Sequence, residues 1–174
     1  MPPGAEVASA SVLATPADRI DQVALVWRRE ADGLVAETGL TVWQPFEDDP
    51  TWRAVYAFTD PARLGVFGIR LERGDLTGDA IPDVLSVEDV GGSGACGTYR
   101  VITSVAGDAS EIFRRDACDT EIAIAGGDLR IREAVYHADD PHCCPSAYRT
   151  STLRWDGTSW DEISSEVVPN DPGR

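Results

Sequence analysis

Three turn signatures constrain this chain more than anything else in it. Ala31-Asp32-Gly33, Gly126-Gly127-Asp128 and Asp156-Gly157 each lie between two short runs in which apolar and polar residues alternate. Asp-Gly and Gly-Gly at such positions favour the positive-φ hairpin turns whose twist matches paired strands. The flanking runs predict strands over 21–27, 34–38, 40–43, 52–58, 84–87, 99–105, 111–114, 120–125, 129–136, 148–155 and 159–163. Short strands at this regular spacing, with little 3.6-residue periodicity, predict an antiparallel all-β domain, meander- or sandwich-like. At most one or two short helices fit beside them, and residues 18–29, behind Asp18, are the one stretch that also reads as a helix start.

The chain has 174 residues, which suits one domain. An Ala/Ser/Pro-rich opening predicts a flexible leader over 1–17, then a β domain over 18–168 and a disordered tail over 169–174. The net charge of −15, with all fifteen basic residues Arg, argues against nucleic acid and anionic membrane partners. No run approaches the roughly 18 apolar residues that direct membrane insertion needs. The first residues lack a basic start and an apolar core, so a signal sequence is not expected within the chain as given. A leader of this composition suits the mature part of an exported protein, and a monomer is expected.

The most specific local pattern is Phe67-Gly68-Ile69-Arg70-Leu71-Glu72-Arg73-Gly74-Asp75-Leu76-Thr77-Gly78-Asp79-Ala80-Ile81-Pro82-Asp83. An alternating segment runs into a turn with oxygen donors at Asp75, Thr77, Asp79 and Asp83, and the Ile81 carbonyl completes a set suited to a hard cation such as Ca²⁺. The segment resembles one FG-GAP or VCBS-type repeat, and the resemblance implies a calcium loop joining two strands. It departs from that pattern at Thr77, where Asn or Asp is usual, and at Ala80, where a glycine would take a left-handed turn. The competing expectation is an acidic turn whose aspartates cap backbone amides without metal. One such unit in a chain of this length is too little for a propeller, which typically needs about four blades or more.

Four cysteines, Cys96, Cys118, Cys143 and Cys144, stand outside any CxxC spacing and predict disulfides in an oxidising compartment. Three pairings are open, with a preference for crossed bonds that staple 96 and 118 onto the Cys143-Cys144 dipeptide, because a vicinal bond strains its peptide. A zinc or copper site from His137, His142, Cys143 and Cys144 is the metal alternative, and a catalytic cysteine beside either histidine is a weaker one. Asp139-Asp140-Pro141-His142-Cys143-Cys144-Pro145-Ser146, followed by Tyr148 and Leu153-Arg154-Trp155-Asp156-Gly157, resembles the ending of small actinobacterial exported proteins. The segment is similar to the LppP/LprE lipoprotein family. This resemblance, over roughly 66–160, implies a secreted or cell-envelope β domain with disulfides and no established chemistry; the lipobox cysteine of such lipoproteins is missing from the pattern.

No Gly-x-Ser-x-Gly elbow, HExxH or phosphate-binding glycine loop occurs. A secreted hydrolase using an Asp/Glu pair is therefore the third-ranked expectation. The first is an exported or cell-envelope binding or scaffold domain, non-catalytic, with a structural calcium loop and a protein or glycan partner. Trp155 and Trp160 are its candidate ligand platform, although a cross-strand aromatic pair is also ordinary hairpin packing. The second is an acidic inhibitor or immunity-type protein that neutralises a basic partner.

Overall fold

Alternation of side chains is the rule that builds this molecule, and the strands divide by whether one face or two faces are buried. The computed structural model describes residues 1–13, 22–46, 49–61, 68–91, 95–105 and 108–170. They form twelve strands, with no helix among the described residues: β1 (Glu6–Leu13), β2 (Gln22–Ala31), β3 (Leu34–Phe46), β4 (Asp49–Pro61), β5 (Gly68–Gly74), β6 (Asp83–Gly91), β7 (Cys96–Val105), β8 (Asp108–Ala117), β9 (Thr120–Ala125), β10 (Asp128–Val135), β11 (Ala147–Trp155) and β12 (Trp160–Pro169). They pair as three antiparallel meanders of four, β1 to β4, β5 to β8 and β9 to β12, each in chain order. The all-β antiparallel expectation holds.

The second sheet is the middle layer. On one face Val84 and Ile102 join Ala24, Val26, Leu40 and Val42 of the first sheet in an apolar core. On the other, Leu85, Val87, Tyr99 and Val101 pack against Ile122, Leu129 and Ile131 of the third. Double burial explains why 84–85 and 101–102 read as unbroken apolar pairs rather than alternating ones. Each fully buried Leu or Ile contributes about 1.5–3 kcal/mol.

The turns follow the sequence closely. Asp32 and Gly33 take φ of 54° and 78°, and Gly126 and Gly127 take 63° and 87°, the left-handed pair that a two-residue hairpin requires. The Asp156-Gly157 turn is longer than a two-residue turn, since Trp155 pairs with Trp160 and the Asp156 amide donates to the Ser159 carbonyl at 3.0 Å. Residues 22–31 are strand, so the helical alternative over 18–29 is set aside for the described part of that stretch. The opening expected as a flexible leader over 1–17 instead supplies β1, paired along its length with β2. Its small Ala and Ser side chains hide the alternation, but the backbone ladder does not need large ones. At the other end β12 runs to Pro169, and the Asn170 amide and side chain bond to the Ser146 and Pro145 carbonyls; 171–174 lie outside the described residues, as do 14–17, 66 and Phe67.

The two strands expected over 34–38 and 40–43 are one strand, β3, with Gly39 inside it. A Cβ on Gly39 would meet the Trp27 ring at 2.2 Å and the Phe58 carbonyl oxygen at 2.5 Å. The buried indole, whose Nε1 donates to Thr41 Oγ1 at 3.2 Å, crosses the strand where no side chain stands. Gly39→Ala is expected to destabilise by about 1–3 kcal/mol through overpacking, seen as a lower urea midpoint at unchanged slope; an unchanged midpoint would refute the close approach.

Candidate functional site

The acidic turn between β5 and β6 is anchored from beneath before its carboxylates do anything. Leu76 and Ile81 are each 3 % exposed, and Leu76 belongs to the core between the second and third sheets. From above, Gly127 of the β9–β10 turn approaches so closely that a Cβ there would lie 3.3 Å from the Asp75 carbonyl oxygen. Gly78 and Ala80 take φ of 76° and 65°. Ala80 thus keeps the left-handed conformation that a glycine would adopt freely, at roughly 1–2 kcal/mol.

Asp75, Thr77, Asp79, Ile81 and Asp83 do share this turn, and their oxygens face the chain's own amides. Asp75 accepts from Gly78 N–H at 2.7 Å through Oδ1 and from Ala80 N–H at 3.0 Å through Oδ2. Asp79 Oδ1 accepts from Ile81 N–H at 2.8 Å. Asp83 Oδ2 accepts from Leu76 N–H at 2.8 Å, Thr77 N–H at 3.0 Å and the Thr77 hydroxyl at 3.2 Å. Asp83 is fully buried, and its Oδ1 has no hydrogen-bond partner. Burial pushes its carboxyl above the ordinary range, against the opposing pull of Thr103 and the Leu76 and Thr77 amides. No group of three or more His, Cys, Asp or Glu side chains converges as a metal shell among the described residues. In this arrangement the donor set fits backbone capping better than it fits a cation.

A second cluster escaped the sequence reading. Arg100, in the middle of β7, is 1 % exposed and lies between the first and second sheets. It pairs with Asp60, sits 3.6 Å from Glu88 Oε2 and 3.4 Å from Glu111 Oε2, and stacks over Phe58 at 4.1 Å. The Thr38 hydroxyl donates to Glu88 at 3.4 Å and the Tyr56 hydroxyl to Glu111 at 3.0 Å. Burial, followed by the nearby Asp60 charge, pushes the Glu88 carboxyl up although Arg100 draws it down. Burial and then the Glu111 hydrogen bond push the Tyr56 phenol up. The one available sign was Arg100 itself, a charge inside the apolar run Tyr99 to Ile102.

The cysteines correct the preferred pairing. Cys96 and Cys118 are bonded to each other, while Cys143 and Cys144 are exposed thiols. Gly97 and Ala117 are register partners across β7 and β8, so the residues just outside them meet at the end of that ladder. His137, His142, Cys143 and Cys144 share the loop between β10 and β11 without forming a metal cluster. Trp155 and Trp160 stand 5.5 Å apart across their hairpin, but Trp160 is committed to packing: its Nε1 donates to the Ile112 carbonyl at 3.0 Å and its ring meets Phe113 edge-on at 5.9 Å. Comparison of the chain with protein-family models, with curated proteins and with solved structures finds no match.

The buried carboxylates set a pH dependence. Glu88 and Asp83 hold protons in the folded state at pH values where the unfolded chain has released them, so stability rises as pH falls from 7 toward the ordinary carboxylate range. Asp128, Asp140 and Asp156 are held low, by the Arg154 bond, the Ser146 hydroxyl and the Ser159 amide respectively, with Asp156 at about 2. Their contribution is lost as pH drops further. Urea melts are expected to show maximal stability in mild acid, with Glu88→Gln flattening the neutral limb; stability climbing steadily from pH 5 to pH 8 would contradict the assignment.

Proposed function

We propose that the protein is a non-catalytic β-rich binding or scaffold domain of an oxidising, extracytoplasmic compartment, in which the 75–83 turn is a structural clamp closed by hydrogen bonds. The observation that carries the clamp is the set of five backbone amides, of Leu76, Thr77, Gly78, Ala80 and Ile81, received by three aspartates. Each bond to a charged acceptor contributes about 1.5–3 kcal/mol before the cost of burial is counted. The turn thereby fixes where β5 ends and β6 begins, and with them the register of the middle layer. The Cys96–Cys118 bond supports the compartment, since such bonds persist where thiols are not kept reduced.

A second reading, an acidic protein that neutralises a basic partner, draws on the edge strand β12. There Ile163, Val167 and Val168 are about half exposed beside the exposed Asp161, Glu162 and Glu166, which joins apolar area to negative charge on a strand that pairs on one side only among the described residues.

A thermal melt of the non-reduced protein at fixed ionic strength, with about 10 mM Ca²⁺, tenfold above the ~10⁻³ M Kd of the weaker extracellular calcium modules, and then with chelator, separates clamp from cation site. The clamp predicts a shift below about 1 °C, because the carboxylates are already partnered. A rise of about 3–6 °C that is abolished by Asp79→Ala would overturn it and assign Asp75, Thr77, Asp79, Ile81 and Asp83 to calcium.

A further inference from the structure

One free thiol, Cys143, and the chain neighbours of the disulfide border one cavity. A hollow of about 250 Å³ is lined by Ala95 and Asp119, the chain neighbours of the bonded Cys96 and Cys118, and by His142 and Cys143 of the β10–β11 loop. The Tyr136 hydroxyl ties the two walls together, 2.8 Å from the His142 carbonyl oxygen and 3.0 Å from Asp119 Oδ2, sharing one proton between them. Cys118 and Cys143 each directly follow or precede a residue held on that single phenol.

The loop presenting the thiols is braced. Asp140 receives the His137 amide at 2.7 Å, the Ser146 amide at 2.9 Å and the Ser146 hydroxyl at 2.7 Å. The Cys144 amide donates to the Pro141 carbonyl at 2.9 Å, and the Asn170 side chain holds the Pro145 carbonyl. Cys143, Cys144 and Cys118 are all exposed. On the disulfide side, Ala95 and Asp119 take φ of 38° and 49°, left-handed conformations for residues with a Cβ. Left-handed residues therefore flank the bond at both ends.

We propose that these four cysteines form an internal thiol–disulfide exchange site, in which Cys143 attacks the Sγ of Cys118. The Cys143 thiol gives its proton to solvent, and its thiolate forms the Cys143–Cys118 bond while the Cys96–Cys118 bond breaks. Cys96 leaves as the thiolate and takes up a proton. The Cys144 thiolate then attacks the Sγ of Cys143, forming the vicinal bond and releasing Cys118. No electrons enter or leave the protein, so the exchange needs no outside oxidant. The roles are ordered by position: Cys143 lines the hollow beside Asp119, whereas Cys144 does not, so Cys143 makes the first attack.

Cys144→Ser blocks the second step and should trap the first. The full-length variant, purified non-reduced and equilibrated at pH 8 under argon with a trace of dithiol, is quenched in acid, alkylated and mapped by mass spectrometry. The expected result is loss of the 96–118 peptide pair, gain of a 118–143 pair and alkylation of Cys96; Cys143→Ser in parallel keeps 96–118 alone. Persistence of only the 96–118 bond in Cys144→Ser, with Cys143 fully alkylated, overturns the proposal, and a 96–143 pair overturns the route through Cys118. Thermal melts matching the parent chain establish that both variants are folded, and each maps independently of the other.

Discussion

Double burial of the middle sheet is the constraint on which the rest depends. Register partners share a face, so β6 and β7 present Leu85 with Val101 and Val87 with Tyr99 to the third sheet. To the first sheet they present Val84 with Ile102, Ser86 with Arg100 and Glu88 with Thr98. One interface is therefore apolar along these pairs, and the other is apolar at one end and charged at the other. The charged end contributes less to stability than an apolar one would, because desolvating Arg100 and Glu88 offsets much of their attraction. What it adds is discrimination: a register slip of one residue would carry Arg100 to the apolar side, with no carboxylate opposite it.

This asymmetry orders the molecule's weak and strong points. The interface with the third sheet closes on Leu85, Val101, Ile122, Leu129 and Ile131, all nearly inaccessible to solvent. The interface with the first sheet depends on ion pairs that respond to pH, and on Arg100 nitrogens that are near carboxylates without full hydrogen-bond geometry. Local opening follows the smaller free energy, so the first sheet separates from the middle one before the third does.

The parts legible in the sequence were those with a local cause. Asp32-Gly33 and Gly126-Gly127 announced their turns because few residues other than glycine and aspartate tolerate positive φ there. The 75–83 turn was legible as a turn and as an acidic cluster, since both follow from residue types. Whether its oxygens face one another or face amides depends on backbone direction, which spacing alone does not encode. β1 was illegible because Ala and Ser carry little pattern, and the continuity of β3 through Gly39 was illegible because the residue it makes room for, Trp27, lies on another strand. The cysteine pairing was likewise decided by which strands are neighbours and not by counting.

The disulfide closes the β7–β8 end of the second sheet, beside the point where Cys118 and Asp119 alone carry the chain from β8 into β9 of the third. Closing its 22-residue separation is worth about 3 kcal/mol in the chain-entropy picture. The five buried side chains of the neighbouring apolar interface contribute on the order of 10 kcal/mol together. The bond ties β7 to β8 within one sheet, whereas the second and third sheets are held together by that apolar interface and by the hydrogen-bonded clamp at 75–83, which meets the β9–β10 turn through Asp75 and Gly127. Opening the bond would therefore leave the contact between the second and third sheets in place, which is the condition that the proposed exchange requires.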